Sequence, residues 1–234
     1  MPYENFVIFA DQANNPYGEK TKSQVIKFSK GATDFLIKKH KIKMMVLACN
    51  TATVLALDQL RRTFDIPIVG TVPAVKVAAA KTKKSKIAVM STPATAKSRY
   101  LKDLIEKFSP NASVLRLGCR GLEEAIEVLD KKAAFNLIKK YSKSVKNFGA
   151  DTVVLGCTHY PLMKLHLQDS LPGVKLIDSG KAIAKRIKSI LEDQNKISAQ
   201  RLQDFYYTTG DPKQFSKVSS IILKREIEAM PALA

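Results

Sequence analysis

Short apolar runs alternate with amphipathic stretches along the whole chain. Asn5–Ala10, Lys43–Cys49, Ile66–Gly70, Lys86–Ser91, Ser113–Leu117, Thr152–Cys157, Val174–Asp178 and Phe205–Thr209 are short, rich in β-branched or aromatic residues, and bounded by turn residues. That pattern predicts strands. The intervening stretches, for example Thr51–Phe64 and Pro93–Phe108, carry helical periodicity. Strands alternating with helices imply an α/β fold of mostly parallel sheets flanked by helices. In such sheets ligands bind beyond the carboxyl ends of the strands. The segments ending in Cys49 and Cys157 therefore lie where chemistry is expected.

These two segments resemble each other. VLACNT (Val46–Thr51) and VLGCTH (Val154–His159) share an apolar strand, a small residue, a Cys, and hydroxyl or amide residues opening a helix. A Leu-rich helix and a short Pro-containing link follow each. The repeat suggests two pseudo-symmetric lobes, residues 1–69 with 180–234 and residues 70–179, each delivering a Cys from a strand end. A thiol at a strand-to-helix junction faces the positive end of a helix, which favours thiolate. Two such thiols, one on each side of a carbon, form an acid–base pair able to remove a proton from one face and return it on the other. A lone Cys at a strand end is more often simply buried, and Cys119 is read that way.

Composition narrows the class. The chain has 234 residues, three cysteines and a formal charge of +18. The odd cysteine count argues against a disulfide framework and for a reducing, cytoplasmic setting, and the spacings do not match zinc-ligand pairs. No run of about 18 apolar residues is present to span a membrane, and the N-terminus lacks the pattern of a signal peptide. The charge is mostly Lys spread over helical stretches such as Glu19 to Lys43 and Lys139 to Lys146, with few interleaved aromatics. A solvated basic surface explains it, with nucleic acid attracted only non-specifically.

The runs ADQANNPYGEK, VLACNTAT, PIVGTVPAV, STPATAKSRY, DTVVLGCTHYPL, LIDSG and YYTTGDPKQF occur in this order over nearly the whole chain. In content and spacing they resemble glutamate racemases, within the Asp/Glu racemase superfamily. The ACNT and GCTHYPL blocks together are highly specific. The resemblance implies a cofactor-independent isomerase with no metal, interconverting L- and D-glutamate for peptidoglycan synthesis, and a homodimer. It implies that Cys49 takes the α-proton from D-glutamate and Cys157 from L-glutamate, with His159 assisting Cys157. Asn50, Thr51, Thr158, Pro16, Tyr17 and Gly18 match positions holding the substrate, and Thr92 and Thr95 match further contacts. Asp11 and Glu127 match acidic residues near the site. Structural readings stand beside these: Pro16-Tyr17-Gly18 is also a turn signature, His159 a helix-start residue, Thr92 and Thr95 N-caps, and Glu123, Glu124 and Glu127 acids on an exposed helix face.

One block differs. Glutamate racemases begin with a strand ending in an Asp-Ser-Gly-x-Gly-Gly loop, whereas here Met1 leads directly into PYENF. With the first strand of lobe one missing, Cys49 lacks its family Asp and neighbouring strands lack a partner. The expectation is reduced stability and little or no racemisation by the chain as it stands. Two other activities remain open from the sequence: an aspartate racemase, or a non-catalytic racemase-fold protein whose basic surface contacts nucleic acid or gyrase.

Overall fold

The computed structural model describes residues 3–232. In chain order the elements are β1 (Val7–Ala10), α1 (Lys22–His40), β2 (Met45–Leu47), α2 (Asn50–Thr63), β3 (Ile68–Gly70), α3 (Val75–Ala79), β4 (Lys86–Ser91), α4 (Pro93–Lys97) and α5 (Arg99–Phe108). They continue as β5 (Ser113–Gly118), α6 (Leu122–Glu127), α7 (Lys131–Phe148), β6 (Thr152–Gly156), α8 (Lys164–Ser170), β7 (Lys175–Ile177), α9 (Gly180–Asp193), β8 (Phe205–Thr208), α10 (Pro212–Leu223) and β9 (Ala229–Pro231). The chain forms two compact units. One holds the chain up to Met45, Asp58–Val69 and the chain from Lys185; the other holds Val46–Leu57 and Gly70–Ala184. Residues 46–57, with Cys49, thus cluster with the second unit.

The first unit contains a parallel sheet in the order β1-β8-β9, with Val7 opposite Phe205 and Tyr206 opposite Ala229. Strand β9 has no counterpart in the sequence reading. It is three residues long, ends in Pro231, and pairs only with β8; an edge tolerates the proline that would interrupt a central strand. Helix α1 starts at a capping box in which Thr21 and Gln24 satisfy each other's main-chain N–H groups. Its buried residues Val25, Ser29, Ala32, Thr33 and Leu36 recur at helical spacing, so one stripe is covered. Phe35 makes edge contacts with Phe9 on β1 at 5.3 Å and Tyr207 on β8 at 5.1 Å. The short strands β2 and β3 pair with each other in a separate two-stranded sheet.

The second unit is built on a parallel sheet in the order β5-β4-β6-β7. The central strands read as unbroken apolar runs because both faces are covered. Ala88, Met90, Val153 and Leu155 join the core made with α6, α7 and α8, while Ile87, Val89 and Val154 join the core made with α3 and α5. This period-two alternation carries one step past the end of β6: Cys157 follows Leu155 onto the face packed by α6 and α7. The expected helix over 93–108 is divided. Ser98 is extended (φ −65°, ψ 143°) and its hydroxyl caps α5 by accepting from the N–H of Leu101, a competing local bond that periodicity does not reveal.

Gly156 ends β6 opposite Ser91 of β4. A Cβ added there would lie 3.0 Å from the Met90 carbonyl oxygen and 3.1 Å from Ser91 Cβ. Since main chain cannot yield as a flexible side chain can, Gly156→Val is expected to destabilise the chain by about 1–3 kcal/mol. A fall in the urea midpoint with an unchanged slope would show this, and an unchanged midpoint would contradict it.

Candidate active site

The candidate residues lie at the carboxyl ends of parallel strands, where the fold places them without special sequence. Cys49 sits between β2 and α2, Thr92 follows β4, Cys119 follows β5, and Cys157–His159 follow β6. All of these belong to the second unit.

Cys49 is partly exposed. Its sulfur accepts the N–H of Ala52 at 3.5 Å, in the first turn of α2. The helix N-terminus was expected to favour thiolate, but the balance runs the other way: burial pushes the Cys49 thiol up to about 11, against smaller opposing help from the Ala52 N–H. Desolvation of the charged form outweighs the helix end here. Cys157 is buried, and burial raises its thiol well above the usual range, with the Glu123 carboxylate adding to the effect. Both thiols are neutral in this state near neutral pH. Cys119 is buried in the core, 2% exposed, as the sequence suggested.

Cys157 is followed by a 3-10 turn, Tyr160–Met163, before α8 begins at Lys164. His159 stands at the start of that turn with Nδ1 3.8 Å from the Cys157 sulfur and Nε2 2.5 Å from the Glu127 carboxylate. Burial lowers the affinity of His159 for a proton, but the Glu127 bond and the Glu123 charge oppose it and the net shift is upward. Glu127 is therefore no solvated helix acid; it reaches from α6 to fix the imidazole. Glu123, expected on an exposed face with it, is only 6% exposed. The acidic run misled because α6 is six residues long and packs both its apolar and its acidic sides.

Hydroxyl groups line the neighbouring strand ends. Thr92 caps α4 as anticipated, accepting the Thr95 N–H. Its hydroxyl lies 2.8 Å from that of Thr51 and donates to that of Thr95 at 3.1 Å. Thr158 donates its hydroxyl to the Ala48 carbonyl at 3.0 Å, tying the loop after β6 to the residue before Cys49. Asn50 is 3% exposed, and both polar atoms of its side chain are buried without a hydrogen-bond partner. Such an orphaned amide is costly unless a ligand completes it.

In the first unit, Asp11 and the PYG segment form a network of their own. The Asp11 carboxylate accepts from the Tyr17 hydroxyl at 2.6 Å, the Asn14 amide at 2.9 Å and the Thr209 hydroxyl at 2.9 Å. Tyr17 and Gly18 begin a 3-10 turn, with Pro16 at its cap and half-buried like them. The turn reading of that motif thus describes its local structure. Among the described residues, no group of three or more His, Cys, Asp or Glu side chains is arranged to hold a metal, and no helix is long and apolar enough to cross a membrane.

The strand-end thiols and the parallel α/β architecture match one family: residues 5–187 fit the Asp/Glu/hydantoin racemases, and the chain belongs to that family. It is an isomerase of the amino-acid racemase class. More particularly, a glutamate racemase of Herpetosiphon aurantiacus is 35% identical over 223 residues, covering 93% of this chain and 87% of that protein. One of Haemophilus influenzae is 37% identical over 224 residues, covering 93% and 83%. The crystal structure of a Bacillus anthracis glutamate racemase isoform superposes with a TM-score of 0.90 at 26% identity, covering 99% of this chain and 89% of that one. The Escherichia coli glutamate racemase, solved with L-glutamate and the activator UDP-MurNAc-Ala, gives 0.87 at 28% identity, covering 100% and 90%.

Proposed function

We propose that this chain interconverts L- and D-glutamate by a two-base mechanism with Cys49 and Cys157 as the bases, without a cofactor. The observation that carries the reading is the Cys157–His159–Glu127 series, thiol to imidazole to carboxylate. A thiol is neither strongly acidic nor strongly basic, so it can remove an α-proton as thiolate and return one as thiol. Cys157 would take the proton from L-glutamate and give it back on the reverse passage, with His159 adjusting its protonation. Cys49 would do the same for D-glutamate.

Substrate brings two carboxylates and an ammonium into this setting. The orphaned Asn50 amide offers a donor and an acceptor with no protein partner. The Thr51, Thr92 and Thr95 hydroxyls and Thr158 can turn towards carboxylate oxygens, and fixed donors of this kind stabilise the charge that develops on the substrate as the α-proton leaves. Tyr17 and Gly18, with Asp11 steadying the tyrosine hydroxyl, are proposed as further substrate contacts, and Pro16 as the residue that shapes their turn. The product D-glutamate would feed peptidoglycan synthesis in the cytoplasm, and the working form is proposed to be a homodimer.

The test is loss of the α-proton signal by proton NMR in deuterated water. Exchange of L- and D-glutamate is expected to exceed that of aspartate by a factor of about 10–200, the range one methylene supports. Exchange by this chain would set aside the expectation of little or no racemisation. A folded chain that exchanges the α-proton of neither acid would bear that expectation out and overturn the reading of this chain as an active racemase. Equal rates on both acids would overturn its assignment to glutamate.

A further inference from the structure

Glu123 lies one helical turn before Glu127 on α6, so the two side chains leave the same face of the helix. Glu127 on that face holds the His159 imidazole. Glu123 is 6% exposed, and Leu122, Ala125 and Ile126 of the same helix are 0%, 7% and 4% exposed. A carboxyl group in such a place is expensive unless it serves a partner. Its charge acts on Glu124 and Glu127 of its own helix, on His159, Cys157 and Tyr160 after β6, and on Cys49 before α2. His159 is the one cation-forming group in that set.

We infer that Glu123 is a positioning residue which, together with Glu127, holds His159 as imidazolium, so that a proton is available to Cys157 through neutral pH. The inference rests on the racemase reading for its catalytic meaning. One carboxylate beside an imidazole orients it and neutralises its charge. Two carboxylates facing one imidazole leave the cluster one negative charge in excess, so the proton on His159 is held more firmly. Burial, helped by Glu124 and Glu127, holds the Glu123 carboxyl above the usual carboxylate range against the pull of the His159 charge, and Glu123 in turn raises His159. The same carboxylate raises both thiols, so it opposes premature loss of their protons. When D-glutamate is turned over, Cys157 must deliver a proton; the imidazolium then replaces it, and solvent restores His159 through the exposed edge of the pair with Glu127.

The effect has a sign. Glu123→Gln keeps the size and removes the negative charge, so His159 should titrate at lower pH. The chain has three histidines, so the His159 ring signal is identifiable by its loss in His159→Gln. An NMR titration of the full chain is expected to show the His159 midpoint moved down in Glu123→Gln and restored in Glu123→Asp. At pH about 8 the racemisation kcat of Glu123→Gln should fall roughly tenfold with KM within about twofold, and the fall should vanish as pH is lowered. Should the Gln variant not fold, Glu123→Asn removes the same charge. An unchanged midpoint in a folded, charge-free variant overturns the inference, as does an equal shift in the Asp and Gln variants, which would mark a packing role. The titration needs no turnover. A moved midpoint in a chain that exchanges no glutamate would sink the racemase reading and leave the Glu123–His159 coupling standing.

Discussion

In deuterated water, Cys49→Ser is expected to lose racemisation by at least about a thousandfold while still exchanging the α-proton of L-glutamate. Cys157→Ser should show the mirror result, exchanging only D-glutamate. General acid–base groups are worth about 10²–10⁴ each, and a serine hydroxyl is far too weak an acid to replace a thiol in either role. Because the equilibrium constant of a racemisation is one, a variant cannot lose inversion in a single direction; the asymmetry can appear only in exchange without inversion. Each remaining thiol can still remove and return a proton on its own face. Proton NMR of the α-position, read beside optical rotation of the recovered acid, separates the two events. If both serine variants invert glutamate at unaltered rates, the cysteines are buried packing residues and the bases lie elsewhere.

The fold was legible because its strands announce themselves twice, by β-branched runs and by the turn residues around them. Lys86–Ser91 appears in the structure with the bounds the pattern implies, and the other expected strands differ by a few residues at their ends. The candidate site was legible where motif and fold agree. Cys157 sits one alternation beyond Leu155, so a reader of the strand phase could already place it on the α6–α7 face. Three features were not legible, the first because a local bond overrode the periodicity and the other two because a tertiary term overrode a local one. Ser98 divides the expected 93–108 helix through its own side-chain cap. Strand β9 exists only because β8 offers an edge. Glu123 reads as a solvated acid until α6 is seen to be buried along most of its length. The last matters most for function, since an acidic helix of six residues gives no periodicity from which to tell its buried side.

The protonation of Cys49 provides the other large effect. A thiol held near 11 is almost entirely neutral at pH 7, whereas free cysteine, with a pKa of roughly 8.5, carries a few per cent of thiolate. Alkylation by iodoacetamide follows the thiolate fraction, so Cys49 in the substrate-free chain should react about two orders of magnitude more slowly than free cysteine at pH 7. Its rate should then climb about tenfold for each pH unit up to about 10, where free cysteine has already levelled off. Peptide mass spectrometry assigns the label, and the burial of Cys119 and Cys157 keeps them out of the early reaction. A Cys49 rate that levels off by pH about 8 would mean that the N-terminus of α2 outweighs burial, as the sequence pattern alone had suggested. If the climb is seen, the empty site does not store its base. On the proposed mechanism the thiolate would then form as glutamate enters, with the substrate's ammonium offsetting part of the cost of the sulfur's desolvation. Proton removal would on that account be coupled to binding, and the neutral thiols of the resting chain would be protected from stray electrophiles until substrate arrives.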